Sequence, residues 1–306
     1  MLVPLRSARL FARSVPAGAP VPGAPALVPL HGGLGFDHTY FRPAHGQPGL
    51  DGLLTLAPAP FSRIVYVDLR GHGRSAPVAD WSQVDFDTFA GDVEALRHEL
   101  GLGKIVLFGH SYGGYLAQHF ARRHPEALAG LILCSTAPAF DYAETALQRA
   151  ASRATPGQLS ALIEGFSGPV QNDARFADLV RAVLPIYFET GGDALADAVA
   201  RRMRVCAAAF NRGQFELLPS FDVTDRLSEM TVPTLCVGGA ADWIAPPEHG
   251  PKRLAARLPD ADLRVLDGCG HFPFLEHPTA FAEAVADWAR RRVLPLPAPI
   301  PHVHVS

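Results

Sequence analysis

The sequence predicts an α/β protein: a doubly wound, mostly parallel sheet with a cap of helices inserted late in the chain. Three observations predict it. Short apolar runs alternate with helix-patterned stretches through the first half. The β signal then vanishes between about Pro138 and Met230, and strand-like runs resume at Pro233. Brief apolar strands separated by helices belong to a parallel sheet covered on both faces.

In chain order, the alternation around Leu5–Val15 reads as an opening strand. Ala26–Leu30 is a short apolar run ending in His31-Gly32-Gly33, and Arg63–Leu69 is a β-branched run that enters a glycine-rich turn. A helix is expected over Asp87–Leu100, because Phe89, Val93, Leu96 and Leu100 fall on one face. Lys104–Gly109 reads as a buried strand, Tyr112–His124 as a helix stopped by Pro125, and Leu128–Cys134 as a strand again. Inside the inserted block, Thr155 and Pro156 mark a helix start, as N-cap and first helical residue. Asp173–Leu184 and Asp193–Phe210 read as further helices. Pro233–Gly238 and Leu263–Leu266 resume the strands, with a helix over Glu248–Leu258 between them. Pro278–Val293 closes the pattern, with Phe281, Val285 and Trp288 on one face. Leu294–Ser306 carries four prolines and is expected to be extended or disordered. The expected division is a sheet core over 1–137 and 231–306, and a helical cap over 138–230 that acts as its lid.

Composition narrows the function. A chain of 306 residues with 48% apolar and 19% charged residues is an ordinary globular protein with a full core. A net charge of −3 leaves no electrostatic footprint for nucleic acid or an anionic membrane. No apolar run approaches the ~20 residues needed to span a bilayer. The N-terminus looks like a signal peptide only superficially, since Arg6, Arg9 and Arg13 interrupt its apolar segment. A cytoplasmic protein with neither nucleic-acid nor membrane partner is expected. Cys134, Cys206, Cys236 and Cys269 lie far apart and without metal-ligand spacing, so they read as reduced thiols. No metal or cofactor is expected. Cys269, two residues before His271, reads as a small filler in its loop.

The strongest chemical signal is Gly109-His110-Ser111-Tyr112-Gly113-Gly114, directly after a strand and opening a helix. Gly-x-Ser-x-Gly in that setting is a nucleophile elbow, a tight turn that lifts a serine hydroxyl above the sheet. A hydroxyl attacks only once a base removes its proton. The chain order Ser…Asp…His places an acid after a late strand and a histidine after the last one. Asp242 and His271 stand there, His271 as base and then acid, Asp242 as the group that orients its ring. Asp267 is the weaker candidate for the acid. His110, His249 and His277 read as structural. Two backbone N–H groups, of Gly33 and Tyr112, are the expected oxyanion donors, because glycines let the backbone approach the substrate oxygen. Asp68-Leu69-Arg70-Gly71-His72-Gly73-Arg74-Ser75 lacks a phosphate-loop pattern and reads as a structural turn, with Asp68 and Arg70 packing the loop.

Together, HGG-x-G, D-x-RG-x-G-x-S, G-x-S-x-GG, Asp242 and Gly270-His271 resemble the α/β-hydrolase fold family across nearly the whole chain. HGGLGFDH and the segment FNRGQFELLPSFDVTDRL before VPTL resemble its proline iminopeptidase branch. That resemblance implies a cofactor-free serine aminopeptidase acting on a small molecule or short peptide. It also implies glutamates in the cap that anchor the substrate's free amine, for which Glu189 and Glu216 are the candidates. DLRGHGRS and GHSYGG are forms common in general esterases, so a carboxylesterase or lactonase is the nearest alternative. A cofactor-free perhydrolase and a non-catalytic ligand receptor are the others.

Overall fold

The computed structural model describes residues 1–294, so the proline-rich tail lies outside the described residues. In place of one opening strand the chain forms a hairpin, β1 (Leu2–Pro4) paired antiparallel with β2 (Arg9–Pro16). Next come β3 (Leu27–Leu30) and β4 (Arg63–Asp68), and β2 runs antiparallel along β4. β5 (Ile105–His110), β6 (Leu128–Cys134), β7 (Thr234–Gly239) and β8 (Ala261–Leu266) complete the sheet, with β3 to β8 all parallel. The order across it is β1-β2-β4-β3-β5-β6-β7-β8. From β3 the chain steps outward to β4, then returns past β3 to β5. The strand order therefore reverses between β3 and β5, and open α/β sheets bind ligands at such a reversal.

The continuous apolar character of the strands follows from burial on both faces. Every residue of β3, β5 and β7 is buried. α1 (Phe86–Glu99) starts at Asp85, whose carboxylate accepts from the Thr88 N–H in a reciprocal cap, and it buries Phe89, Val93 and Leu96 against the sheet. α2 (Tyr112–Arg123) follows β5 directly.

Between β6 and β7 come only helices: α3 (Ala143–Ala151), α4 (Pro156–Ser167), α5 (Asp173–Val183), α6 (Gly192–Ala200) and α7 (Ala207–Arg212), the last running into a π-helical turn at Gly213–Leu217. Thr155 caps α4 with Pro156 in its first turn, as the sequence predicts. The single helix expected over Asp193–Phe210 is two. Its middle is drawn onto the loop after β3: the Cys206 N–H donates to the Gly35 carbonyl at 2.8 Å and the Arg204 N–H to Asp37 at 3.3 Å. The Ala207 N–H then donates to Asp173 at 2.7 Å, which starts α7.

After β7, α8 (Pro251–Ala255) is shorter than the expected Glu248–Leu258. Pro246, Pro247 and Pro251 lack N–H donors, and the chain before α8 closes as turns onto Pro246 instead. α9 (Pro273–Glu276) and α10 (Pro278–Arg292) end the described chain, with Phe281, Val285 and Trp288 of α10 buried. All four cysteines are free thiols.

Candidate active site

One residue separates β5 from α2, and it is Ser111. A reversal that tight forces φ to +53° and ψ to −120°, a region that non-glycine residues enter only under constraint. The constraint is visible. The Ser111 N–H donates to the Cys134 carbonyl at 3.0 Å, and the Gly114 N–H donates to the Ser111 carbonyl at 2.8 Å. A Cβ at Gly113 would lie 2.1 Å from the Leu30 carbonyl oxygen, so only glycine lets α2 pack this close to β3. The Gly-rich elbow pattern is thus a packing requirement of the strand–turn–helix junction.

Asp242 lies in the turn after β7 and His271 in the loop after β8, and the fold brings them together. The His271 Nδ1–H donates to Asp242 Oδ2 at 2.8 Å, and both side chains are buried. Asp242 Oδ1 accepts from the Ile244 and Ala245 N–H groups at 2.9 and 3.0 Å. Burial alone would raise the Asp242 carboxyl, but the neighbouring His271 ring and the Ala245 N–H hold it below the usual carboxylate range. With Nδ1 engaged, Nε2 is the nitrogen left for chemistry. Ser111 and His271 line one cavity. No hydrogen bond joins them in this structure, and such bonds often tighten only in the substrate complex. Asp267 is exposed in its turn. Cys269 is a buried filler, its thiol pushed up by burial and by Glu276.

His110, read from sequence only as structural, has a defined place. Its Nε2 bonds to the His271 carbonyl at 2.8 Å and its Nδ1 to the Tyr40 hydroxyl at 2.9 Å. Tyr40 in turn accepts from the Gly32 N–H at 2.6 Å. These contacts fit one tautomer: Nε2–H donates to His271, and Nδ1 accepts from Tyr40. Burial, and then the neighbouring His271 ring, push the His110 ring well below its ordinary pKa, so it stays neutral. The chain Gly32–Tyr40–His110–His271 ties the loop after β3 to the elbow and to the His271 loop. Nothing in the sequence marks Tyr40, which stands 70 positions before His110.

Gly33 and Tyr112 both line the cavity. Tyr112 opens α2, where N–H groups have no helical acceptor. Gly33 has φ +57°, and a Cβ there would meet the Phe36 ring at 1.8 Å. The loop is pinned from behind by His31, whose Nε2 accepts from the Leu69 N–H at 3.1 Å. Asp68 accepts from the His38 N–H and the Arg74 N–H at 3.0 and 2.8 Å, holding both glycine-rich loops together. Arg70 turns away, to Asp92 of α1 and Ser7 of the β1–β2 turn.

The walls of the cavity are apolar. Leu34, Phe36, Phe176, Leu179, Val183 and Phe210 line it, and among the described residues no Asp, Glu, Lys or Arg does. Glu189 and Glu216, expected as amine anchors, lie outside it. Glu189 pairs with Arg153 at 2.7 Å and Glu216 with Arg212, and both are exposed. Their positions in sequence offered no way to tell an inward from an outward carboxylate. No group of His, Cys, Asp and Glu among the described residues could hold a metal ion.

Comparison with known proteins agrees with this architecture. Residues 27–284 match the alpha/beta hydrolase family. The chain belongs to that family. Among curated members, it is 33% identical to a pimeloyl-[acyl-carrier protein] methyl ester esterase of Aromatoleum aromaticum over 280 residues, 87% of this chain and 98% of that protein. It is 28% identical to a proline iminopeptidase of Lactobacillus helveticus over 273 residues, 86% of this chain and 89% of that protein. Among solved structures, the proline iminopeptidase of Mycobacterium smegmatis superposes with a TM-score of 0.73 at 22% identity, covering 95% of this chain and 98% of that one. This hydrolase is therefore similar to both ester- and peptide-cleaving members. No helix of the described residues is long and apolar enough to cross a membrane.

Proposed function

We propose that this hydrolase cleaves uncharged carboxylic esters with apolar substituents, through an acyl-enzyme on Ser111. His271 Nε2 takes the hydroxyl proton as Ser111 attacks the ester carbonyl. The Gly33 and Tyr112 N–H groups hold the oxyanion, and Asp242 steadies the imidazolium. His271 then protonates the departing alcohol. Water repeats the sequence on the acyl-enzyme and releases the acid. The helices of 138–230 form the lid that keeps this site apolar.

The observation that carries the ester reading is the absence of any carboxylate on the cavity wall among the described residues. An aminopeptidase must bury a cationic amine, which is costly without an anionic partner. The resemblance of the sequence puts the aminopeptidase first; the cavity supports the reverse order. The proline iminopeptidase relatives favour aminopeptidase action as the second reading. The test is kcat/KM for p-nitrophenyl butyrate against proline p-nitroanilide. The ester is expected to lead by about a hundredfold or more. A lead for the anilide overturns the ester reading.

A further inference from the structure

Gln214 is out of keeping with its surroundings. It is only 8% exposed, it lines the cavity, and its amide meets no hydrogen-bond partner among the described residues. A polar amide on an otherwise apolar cavity wall is placed to meet a polar group of a bound ligand. Its backbone is unusual as well. Gln214 sits in the π-helical turn Gly213–Leu217 that follows α7, and an extra residue in a helix of this kind redirects side chains and is frequent at functional sites.

The neighbours place the turn. A Cβ on Gly213 would lie 2.2 Å from Leu34 and 3.6 Å from Tyr112 Cζ, the carbon that bears the hydroxyl. The π turn is therefore pressed against the loop that carries Gly33 and against the first residue of α2. The Tyr112 hydroxyl also lacks a hydrogen-bond partner among the described residues, and the ring is 4% exposed. An amide and a phenol both donate and accept, and neither carries charge near neutral pH. They match a neutral polar group, and an ammonium would find no anionic partner among the described lining residues.

We propose that Gln214, with Tyr112 on the wall of the same cavity, is a recognition subsite for an uncharged hydrogen-bonding group, a hydroxyl, ketone or amide, carried by an otherwise apolar ester. This rests on the ester reading and sharpens it. The substrate is an ester with a neutral polar substituent on the side of the scissile bond that faces the loop after β3. A site built to bond such a group discriminates strongly against the analogue that lacks it.

The test uses the full-length enzyme and matched ester pairs that differ by one hydroxyl or one amide, with the substituent placed in the acyl half in one series and in the alcohol half in the other. In one series the polar member is expected to lead in kcat/KM by about tenfold or more. Gln214→Leu is expected to bring that ratio close to one, and Tyr112→Phe, which keeps the backbone N–H, to lower it in part. Thermal unfolding of both variants at the wild-type temperature shows that they fold. A wild-type enzyme with no preference in either series, or a preference that survives Gln214→Leu, overturns the proposal. Ser111→Ala keeps the two readings apart. Plain-ester turnover that persists without Ser111 overturns the acyl-enzyme mechanism, whereas Ser111-dependent turnover with an unchanged ratio overturns only the subsite.

Discussion

The floor of the cavity and the helices above it hold their polar groups in different ways. At the floor, the groups that position Ser111 and His271 are buried and matched to fixed partners: Asp242 to two N–H groups and a ring, His110 to Tyr40 and the His271 carbonyl. In the inserted helices the charges face water. Arg175–Glu164, Arg181–Asp178 and Arg201–Asp197 are exposed ion pairs on α4, α5 and α6 or just beyond them, while Phe176, Leu179 and Val183 face inward. Buried hydrogen-bonded groups fix geometry to a fraction of an ångström, because leaving any one unpaired is expensive. Exposed pairs and apolar walls fix volume and polarity without fixing angles. On the proposed function, reaction type is carried by the floor and substrate choice by the helices.

The largest break in that division comes from the floor itself. Ser111→Ala should lower kcat for any substrate by about four orders of magnitude or more, and Asp242→Asn by about 10⁴, the loss expected when the ring loses its proper tautomer. Steady-state kinetics measures both. KM should change little, because neither side chain shapes the apolar wall. Residual activity within tenfold of wild type in Ser111→Ala would remove the floor from the chemistry altogether.

Smaller, and a sharper probe, is Tyr40→Phe. It removes one oxygen, leaving the Gly32 N–H without its acceptor and His110 Nδ1 without its donor. The ring stays in its aromatic cluster with Phe41, Phe272 and Phe274. The expected result is a loss of about fivefold in kcat at nearly constant KM, since a neutral hydrogen bond is worth roughly 1 kcal/mol. A rise in KM with kcat unchanged would instead place Tyr40 on the binding side of the comparison.

Acid should also find the floor before the helices. His31, His72 and His110 are buried beneath the loops of the site, whereas no histidine lies within 138–230. Burial lowers His31 from 6.5 to about 3, with His72 adding to the effect, and lowers His72 from 6.5 to about 4. The folded protein keeps these rings neutral while the unfolded chain protonates them below its ordinary pKa. Their contribution is intact above pH ~6.5, and as the pH falls toward the folded values stability drops by up to about 1.4 kcal/mol per ring per pH unit. Urea midpoints between pH 7 and pH 5 measure the slope. His72→Asn retains a donor for the Arg70 carbonyl that Nδ1 now bonds at 2.8 Å, and it should flatten the slope by one ring's share. An unchanged slope would mean that His72 titrates normally in the folded state.

The same division explains what the sequence disclosed. Strands β3, β5 and β6 were legible because burial on both faces leaves an unbroken apolar run, and Ser111 because its turn admits only small neighbours at Gly109 and Gly113. Asp242 and His271 were legible from strand-end positions and chain order. The Tyr40–His110 link was not, since a hydrogen bond between distant side chains leaves no local pattern. The break between α6 and α7 was hidden for the same reason: the bonds that cause it reach to Gly35 and Asp37. The π turn at Gly213 and the outward carboxylates of Glu189 and Glu216 depend on packing over the core, which helical periodicity does not encode.

The smallest expected effect tests that last point. Arg153 holds Glu189 while it also donates to the Ala241 and Phe188 carbonyls, at 3.0 and 2.9 Å. Arg212 holds Glu216 while it donates to the Val84 and Ser82 carbonyls, at 2.9 and 3.1 Å. In each case the arginine has backbone partners of its own, so the glutamate is an outer companion to an already anchored guanidinium. Glu189→Gln and Glu216→Gln should therefore alter kcat/KM for esters and for aminoacyl anilides by less than about twofold, with stability changes within the range of about 0–1 kcal/mol typical of exposed pairs. A selective collapse of aminoacyl-anilide turnover in either variant would put a working charge in the inserted helices. Amine recognition would then belong to the roof of this site, and the apolar wall would describe only part of it.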